Sequence, residues 1–405
     1  MNIESLRFHK SLFLISCLAV ALVTEAHVFS LSFKVNALNG DLGTTEGRAR
    51  AMAWMRANQI TKVWLESYRH TEQVSEARLV EVRDAFRKEG FAVSGMITPT
   101  QLNDDRAMVC CWTDPKACAR LREEGVKAAK VFDEIILDDF LFTTCTCGRC
   151  KAEQALRGIA DVGDFRCVVL QEVCVKDLLE PGRKTNPNVR FIIKYPCWWR
   201  NYRKNGYDPV AEAKLFGACW IGTETRDANP DPLQACWIID WMDRITEGRC
   251  GGGWYDPLKI AHPSKFVEQA RYTILGGARE SLLHCYDYLL ADDPGKAAFN
   301  ESMDGRKACA TAFAAESAGL MRLAKTLEGA VRGPFAMEAN KVSRHAFTKD
   351  GVRFEAFQNT SGIPAEMTPS FAGRKVLSLP ADADATVEPG RVRLAPHAFV
   401  LVRAE

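Results

Sequence analysis

Two acids and three thiols stand within thirteen residues of one another. Asp138 and Asp139 close the apolar run Phe132-Asp133-Glu134-Ile135-Ile136-Leu137-Asp138-Asp139-Phe140, and Cys145-x-Cys147-x-x-Cys150 follows at once. Paired carboxylates at the end of a buried strand suit general acid/base or nucleophilic work, because an ionised group is costly there unless it has a partner or a task. Three thiols so close together suit the tetrahedral shell of a zinc ion, with Zn–S of about 2.3 Å. A fourth ligand is available from Cys110 or Cys111 on the preceding loop. Such a shell leaves no open position, so a metal held there would be structural; the competing reading is a disulfide within the cluster.

Further groups of the same kind recur at intervals. Glu66, Lys194 with Tyr195, Glu224, Asp256 and Asp287 each fall at the end of a short apolar run. Tryptophans and tyrosines crowd the same places, among them Trp64, Tyr68, Trp112, Trp198, Trp199, Trp220, Trp254, Tyr255 and Tyr286. Opposed carboxyls together with aromatic platforms are what cleavage of a glycosidic bond requires, since the leaving oxygen must be protonated and the sugar ring oriented. Asp138 or Asp139 with Glu224 form the leading catalytic pair. Glu66, Lys194, Tyr195, Trp198, Arg226, Trp254, Asp256 and Asp287 are candidate substrate contacts, with Arg226 and Lys194 also able to hold carboxylates ionised. The plain reading of Asp256 is a helix-start signal before Pro257, and that of Asp287 a loop or helix cap.

What must position these residues is an alternation of strands and helices. Strands are expected at 27–36, 62–69, 91–98, 133–140, 190–195, 218–223, 251–255 and 281–286. The helices between and after them are expected at 46–58, 75–89, 115–130, 165–179, 209–216, 233–246, 264–275 and 305–327. The helix from Ser75 begins on a serine cap and stops at Gly90. Eight β–α alternations predict a closed (β/α)8 TIM barrel, whose strand C-termini share one mouth. From Val331 the pattern changes to short alternating segments broken by Gly, Pro and Asn turns, which predict a small antiparallel β-sandwich. Three regions are therefore expected: 1–26, 27–330 (barrel) and 331–405 (sandwich).

Residues 1–26 read as a cleaved signal peptide. Arg7 and Lys10 precede the apolar run Ser11 to Val23, and Thr24-Glu25-Ala26 supplies small residues for cleavage. Secretion or delivery to a periplasm follows as the expectation, and no segment is long enough to span a membrane. Cys17 would leave with the signal, so fourteen of the fifteen cysteines would remain, several of them inside expected strands and helices where a thiol packs as a small hydrophobe. The net charge of +2, with acids and bases interspersed over 405 residues, excludes a nucleic-acid footprint. The first strand lacks the His-x-His expected of a metal-dependent barrel hydrolase, and His70, His262 and His284 are scattered. Gly251-Gly252-Gly253 lacks the strand–turn–helix context of a dinucleotide site, and no Gly-x-Ser-x-Gly elbow occurs. No organic cofactor is expected.

Cys110/Cys111, the strand with its acidic tip and Cys145-x-Cys147-x-x-Cys150 together resemble the zinc-containing β-galactosidases built on a (β/α)8 barrel, over residues 106–155. The resemblance implies a structural zinc beside the active site. It departs at the acids: those enzymes carry Asn-Glu at the fourth strand and a nucleophilic Glu at the seventh, where this chain has Asp138-Asp139 and Asp256. Carboxylates at the fourth and sixth strands are more similar to the retaining α-galactosidase and α-fucosidase barrels. That likeness implies Asp138 or Asp139 as nucleophile and Glu224 as acid/base. The sequence thus reads as a glycoside hydrolase of an oligo- or polysaccharide; the alternatives are a non-catalytic carbohydrate-binding barrel and a polysaccharide lyase.

Overall fold

The computed structural model describes residues 27–103, 106–226, 234–260, 262–291, 303–338, 340–381 and 383–405. The signal-peptide expectation for 1–26 therefore lies outside the described residues. Eight parallel strands form the centre: β1 (Val28–Phe33), β2 (Ile60–Arg69), β3 (Ala92–Thr98), β4 (Glu134–Leu137), β5 (Arg190–Tyr195), β6 (Cys219–Gly222), β7 (Cys250–Tyr255) and β8 (Glu280–Leu283). They pair in chain order, and β1 pairs with both β2 and β8, so the sheet closes into a barrel.

Strand alternation divides the side chains between two cores. Trp64, Met96, Ile136, Ile192, Trp220, Trp254 and Leu282 point inward and fill the barrel. Phe29, Leu31, Val63, Leu65, Ile135, Phe191, Ile193 and Tyr195 join the larger core shared with the helices. At the floor, Lys62 Nζ lies 2.8 Å from Glu280 and 2.5 Å from Glu134, and the Trp64 indole N–H donates to Glu280 at 2.9 Å. Trp64 and Trp220 therefore belong to the filling of the barrel, not to its mouth, which corrects that part of the aromatic expectation.

The outer helices begin and end where local chemistry directs: α1 (Thr45–Ala57), α2 (Glu76–Lys88), α3 (Pro115–Val131), α4 (Val162–Val173), α5 (Pro209–Phe216), α6 (Ile238–Ile245), α7 (Pro263–Leu275) and α8 (Met303–Leu327). Ser75 accepts the Arg78 N–H, Asp114 that of Lys116 and Asp208 that of Ala211, each satisfying an orphan donor of a first turn. Among the described residues no helix is long and apolar enough to cross a membrane.

Several bounds differ from expectation. β4 stops at Leu137, placing both acids beyond the strand, and Tyr286 opens a short helix instead of ending β8. The excursion before α3 contains a hairpin, Thr100–Asn103 with Arg106–Val109. α4 continues through a wider π-type turn, Cys174–Leu179.

Beyond α8 the chain turns antiparallel: β9 (Val331–Met337), β10 (Val342–Lys349), β11 (Val352–Asn359), β12 (Ala365–Met367), β13 (Gly373–Leu379), β14 (Ala385–Glu388), β15 (Arg391–Leu394) and β16 (Phe399–Ala404). A five-stranded sheet (β9-β10-β11-β16-β13) and a three-stranded sheet (β12-β15-β14) enclose a separate apolar core including Val342, Phe357, Val392 and Val400. The seam with the barrel is polar and buried. Arg271 of α7 forms a bidentate pair with Glu316 of α8 and donates to Gln358 Oε1 (2.6 Å) and to the His397 carbonyl (3.0 Å).

Candidate active site

The strand tips carry an interlocked set of charges. Inward alternation along β5 puts Lys194 above Ile192, and its ammonium lies 3.7 Å from the centre of the Trp254 ring. Lys194 donates to Asp138 and stands 4.0 Å from Asp139. Asp138 also accepts from Arg69 (2.9 Å) and Thr98 (3.0 Å) and is almost wholly buried. Burial alone would push its carboxyl up, but Lys194 and Arg69 outweigh that and hold it well below the ordinary carboxylate range. In return the two aspartates raise the Lys194 ammonium against the effect of burial.

Glu66, Asp256 and Asp287 are committed to partners of their own. Glu66 accepts the Val35 N–H (3.0 Å), Arg69 Nε (2.9 Å) and the Thr98 hydroxyl. Asp256 pairs with Arg226 at 2.5 Å and accepts the Leu258 N–H at 3.1 Å. Asp287 accepts the backbone N–H groups of Lys34 (2.9 Å) and Ala37 (3.2 Å). Asp287 thus holds the loop after β1, in line with its plain reading, whereas Asp256 closes a turn and starts no helix, since the next helix begins at Pro263 with His262 as its cap. Arg226 is bound to Asp256, so it is not Glu224 that it neutralises directly.

Two acids stand apart from these pairings. Glu224 accepts the Cys197 N–H through Oε1 (3.1 Å), while Oε2 is buried without a hydrogen-bond partner among the described residues. Burial pushes this carboxyl up to about 8, with Arg226 opposing and the charges of Asp256 and Asp139 adding to the rise. Gly222 makes room for it: a Cβ there would come within 1.7 Å of Glu224 Oε2. Asp139, more accessible than Asp138, is raised by burial to about 7, with Lys194 opposing and Asp138 adding.

The remaining expected contacts divide. Trp254 lies beneath Lys194 with its indole N–H on the Tyr195 carbonyl (2.9 Å), and Trp198 packs edge-on to Phe142 at 4.9 Å, half-buried at the rim. Tyr195 points the other way: its hydroxyl donates to Glu212 at 2.8 Å in the helix-facing core, which removes it from the substrate contacts. The period of two along β5 already separates Tyr195 from Lys194. Arg69 was not anticipated, because a register shift between Glu66 and Tyr68 changes which face of β2 the following residues occupy. Ser32 near the end of β1 and His284 just past β8, whose Oγ and Nδ1 lie 3.0 Å apart, line the same end of the barrel; burial first and Lys194 second keep the imidazole well below its ordinary range.

Beside this mouth, Cys111, Cys145, Cys147 and Cys150 bring their sulfurs within 4.8 Å of one another. Three of the separations are 3.5, 3.8 and 3.7 Å. These distances far exceed a sulfur–sulfur bond of about 2.05 Å. They match the edge of about 3.8 Å of a tetrahedron with Zn–S at about 2.3 Å. All fourteen described cysteines are free. The donor set fits a tetrathiolate ion. Cys110 is not part of it, since its thiol turns inward to the Pro99 carbonyl at 3.3 Å. The quartet ties the loop after β3 to the loop after β4, the loop that begins at Asp138 and Asp139.

A closed parallel barrel with an acid-lined mouth at its strand C-termini, followed by a β-sandwich, is an architecture of carbohydrate-active enzymes. The chain belongs to the family described as probable glycosyl hydrolase, catalytic domain, which it matches over residues 20–326. An uncharacterized protein of Saccharolobus solfataricus is 21% identical over 221 residues, 49% of this chain; the match spans 37% of that relative's length. Amy13B of Eubacterium rectale superposes with a TM-score of 0.56 at 8% identity, covering 95% of this chain and 96% of the other. A β-galactosidase from Rahnella sp. R3 gives 0.53 at 10% identity, covering 78% and 58%. An α-amylase from Lactobacillus plantarum gives 0.51 at 10% identity, covering 94% and 99%. These likenesses concern the fold.

Proposed function

We propose that the protein hydrolyses O-glycosidic bonds of an oligo- or polysaccharide, with Glu224 as proton donor and Asp139 as nucleophile. The observation that carries this reading is the division among the strand-tip acids. Glu66, Asp138, Asp256 and Asp287 are each held by an ion pair or by two hydrogen bonds, whereas Glu224 keeps Oε2 buried without a partner among the described residues and Asp139 comes no nearer than 4.0 Å to Lys194. Burial raises Glu224 well above the usual carboxylate range, as a group that must carry a proton to the leaving oxygen requires, while Lys194 opposes the rise at Asp139 and favours its carboxylate.

In the retaining course, Glu224 protonates the leaving oxygen as the Asp139 carboxylate bonds to the anomeric carbon and the aglycone departs. Glu224 then takes a proton from water, which displaces Asp139 and releases the sugar with its configuration kept. Asp138, fixed by Lys194, Arg69 and Thr98, positions its neighbour and maintains the local field. The placement of acids on the fourth and sixth strands supports an α-galactosidase- or α-fucosidase-like specificity. The apolar N-terminal run supports an extracytoplasmic site of action, and the thiol quartet supports one structural zinc.

A panel of aryl α- and β-galactosides, fucosides and glucosides tests the activity. Glu224→Gln and Asp139→Asn are each expected to lower kcat by about 10³-fold or more while sugar binding persists. Unchanged turnover in either variant removes that residue from its role. Proton NMR of the first-formed hemiacetal decides between retention and inversion. For the metal, elemental analysis should give one zinc per chain, and Cys150→Ser should lower both zinc content and Tm.

A further inference from the structure

We infer that a cavity on the outer side of the barrel wall binds a small amphipathic anion, an apolar body bearing one carboxylate, whose presence is felt at the strand-tip acids. The effect on the acids rests on reading them as the cleavage centre; the binding does not. The cavity lies between the ends of β2 and β3 and the first half of α3 and has a volume of about 350 Å³. Ile97, Trp112 and Leu121 form its buried floor, and Gln101, Lys116 and Arg120 its exposed rim. A space of about 150 Å³ already admits benzene, and ligand pockets begin at about 300 Å³. There is room for one ring with a side chain.

The donors at the floor are already taken. The Tyr68 hydroxyl donates to the Thr100 carbonyl at 3.0 Å, the Cys110 thiol to the Pro99 carbonyl at 3.3 Å, and the Trp112 indole N–H to the Leu141 carbonyl. The Glu124 carboxylate lies beneath with both oxygens shut from solvent, 2.5 Å from Lys127 and 3.7 Å from Arg120. What rests on this floor must be apolar, because a polar group would lose its water without replacement. The rim is cationic. Its own acid, Asp114, is taken up by Arg149 at 3.0 Å, and Arg120 has an exposed partner in Glu123 at 3.0 Å, a surface pair that an incoming carboxylate can displace. His70 adds no charge, since burial first and Arg69 second hold its imidazole at about 4.

Coupling to the mouth follows from strand alternation. Tyr68 and His70 face the cavity, while Arg69 between them binds Asp138 at 2.9 Å. Ile97 and Pro99 face it, while Thr98 between them donates to Asp138 at 3.0 Å. Cys110 and Trp112 likewise flank Cys111 of the thiol quartet. A molecule in the cavity therefore bears on both segments that hold Asp138 beside Asp139.

The test is isothermal titration calorimetry of the full chain with benzoate, cinnamate and octanoate, and with benzamide and cinnamamide as neutral counterparts. At least one carboxylate should bind, and its amide about tenfold or more weakly. Ala117 lines the cavity from α3, so Ala117→Trp fills it and should abolish binding. Lys116→Gln with Arg120→Gln, both at exposed positions, should weaken binding by about tenfold and leave Tm unchanged. No heat with any of the three anions, an amide equal to its acid, or binding indifferent to both variants overturns the site. A bound carboxylate should also shift kcat/KM for an aryl glycoside by about fivefold in the parent and have no effect in Ala117→Trp. An unmoved kcat/KM in the parent overturns the coupling. Anion binding should survive Glu224→Gln, so failure of the cleavage reading appears separately, as undiminished aryl glycoside turnover in that variant.

Discussion

Asp138 shows how a buried charge can stabilise and constrain at once. Its carboxylate is sandwiched between Lys194 and Arg69, with scarcely any exposure on any of the three. Replacing it by Ala removes the partner that two buried cations share, leaving Lys194 only the more distant Asp139 at 4.0 Å. Asp138→Ala should therefore lose about 3–5 kcal/mol of stability, read from denaturant unfolding. Glu224 has the opposite sign. Its folded-state value near 8 exceeds the ordinary 4.5, so the native state binds its proton more tightly and loses stability as pH rises between those values. Glu224→Gln removes that loss. The Tm advantage of the variant over the parent should grow from about pH 4.5 to about pH 8, and an advantage independent of pH would contradict the assignment. Catalysis should show the companion signature, a bell-shaped kcat/KM with limbs near 7 and 8, the alkaline limb reporting Glu224.

Along the strands and helices, legibility followed periodicity. β5 and α5 lie where apolar pattern and caps place them, residue for residue, and Ser75 and Gly90 bracket α2 as cap chemistry requires. Facing was harder to read. Tyr195 shares a strand tip with Lys194 but lies on its other face, and the bulge in β2 hid Arg69, the partner joining Glu66 to Asp138. The choice between adjacent Cys110 and Cys111 depended on which way a loop turned, which spacing alone does not state. The glycine run of β7 acquires its reason only in three dimensions. A Cβ at Gly252 would meet the Trp220 ring at 2.5 Å inside the barrel, and one at Gly253 would meet Thr273 at 2.6 Å outside it. Gly252→Val should cost about 1–3 kcal/mol through overpacking, measured by urea unfolding, without touching any strand-tip acid.

Taken whole, the molecule is joined across its seam by Arg271, whose guanidinium gathers Glu316, Gln358 and the His397 carbonyl. Arg271→Met strands the Glu316 carboxylate in the interior and should cost about 3–5 kcal/mol, whereas Arg271→Met with Glu316→Met should recover most of it. Arg332 of β9 adds a second tie, 2.8 Å from Asp240 and 3.0 Å from Asp243 of α6. This join has a practical corollary for whoever clones the gene. The family match ends at residue 326, an inviting place to cut, yet a fragment ending there would strip α7 of its cover and leave Arg271 half-dressed. Such a truncation should collect in inclusion bodies while the 405-residue chain stays in the supernatant, so barrel and sandwich are best made in one piece.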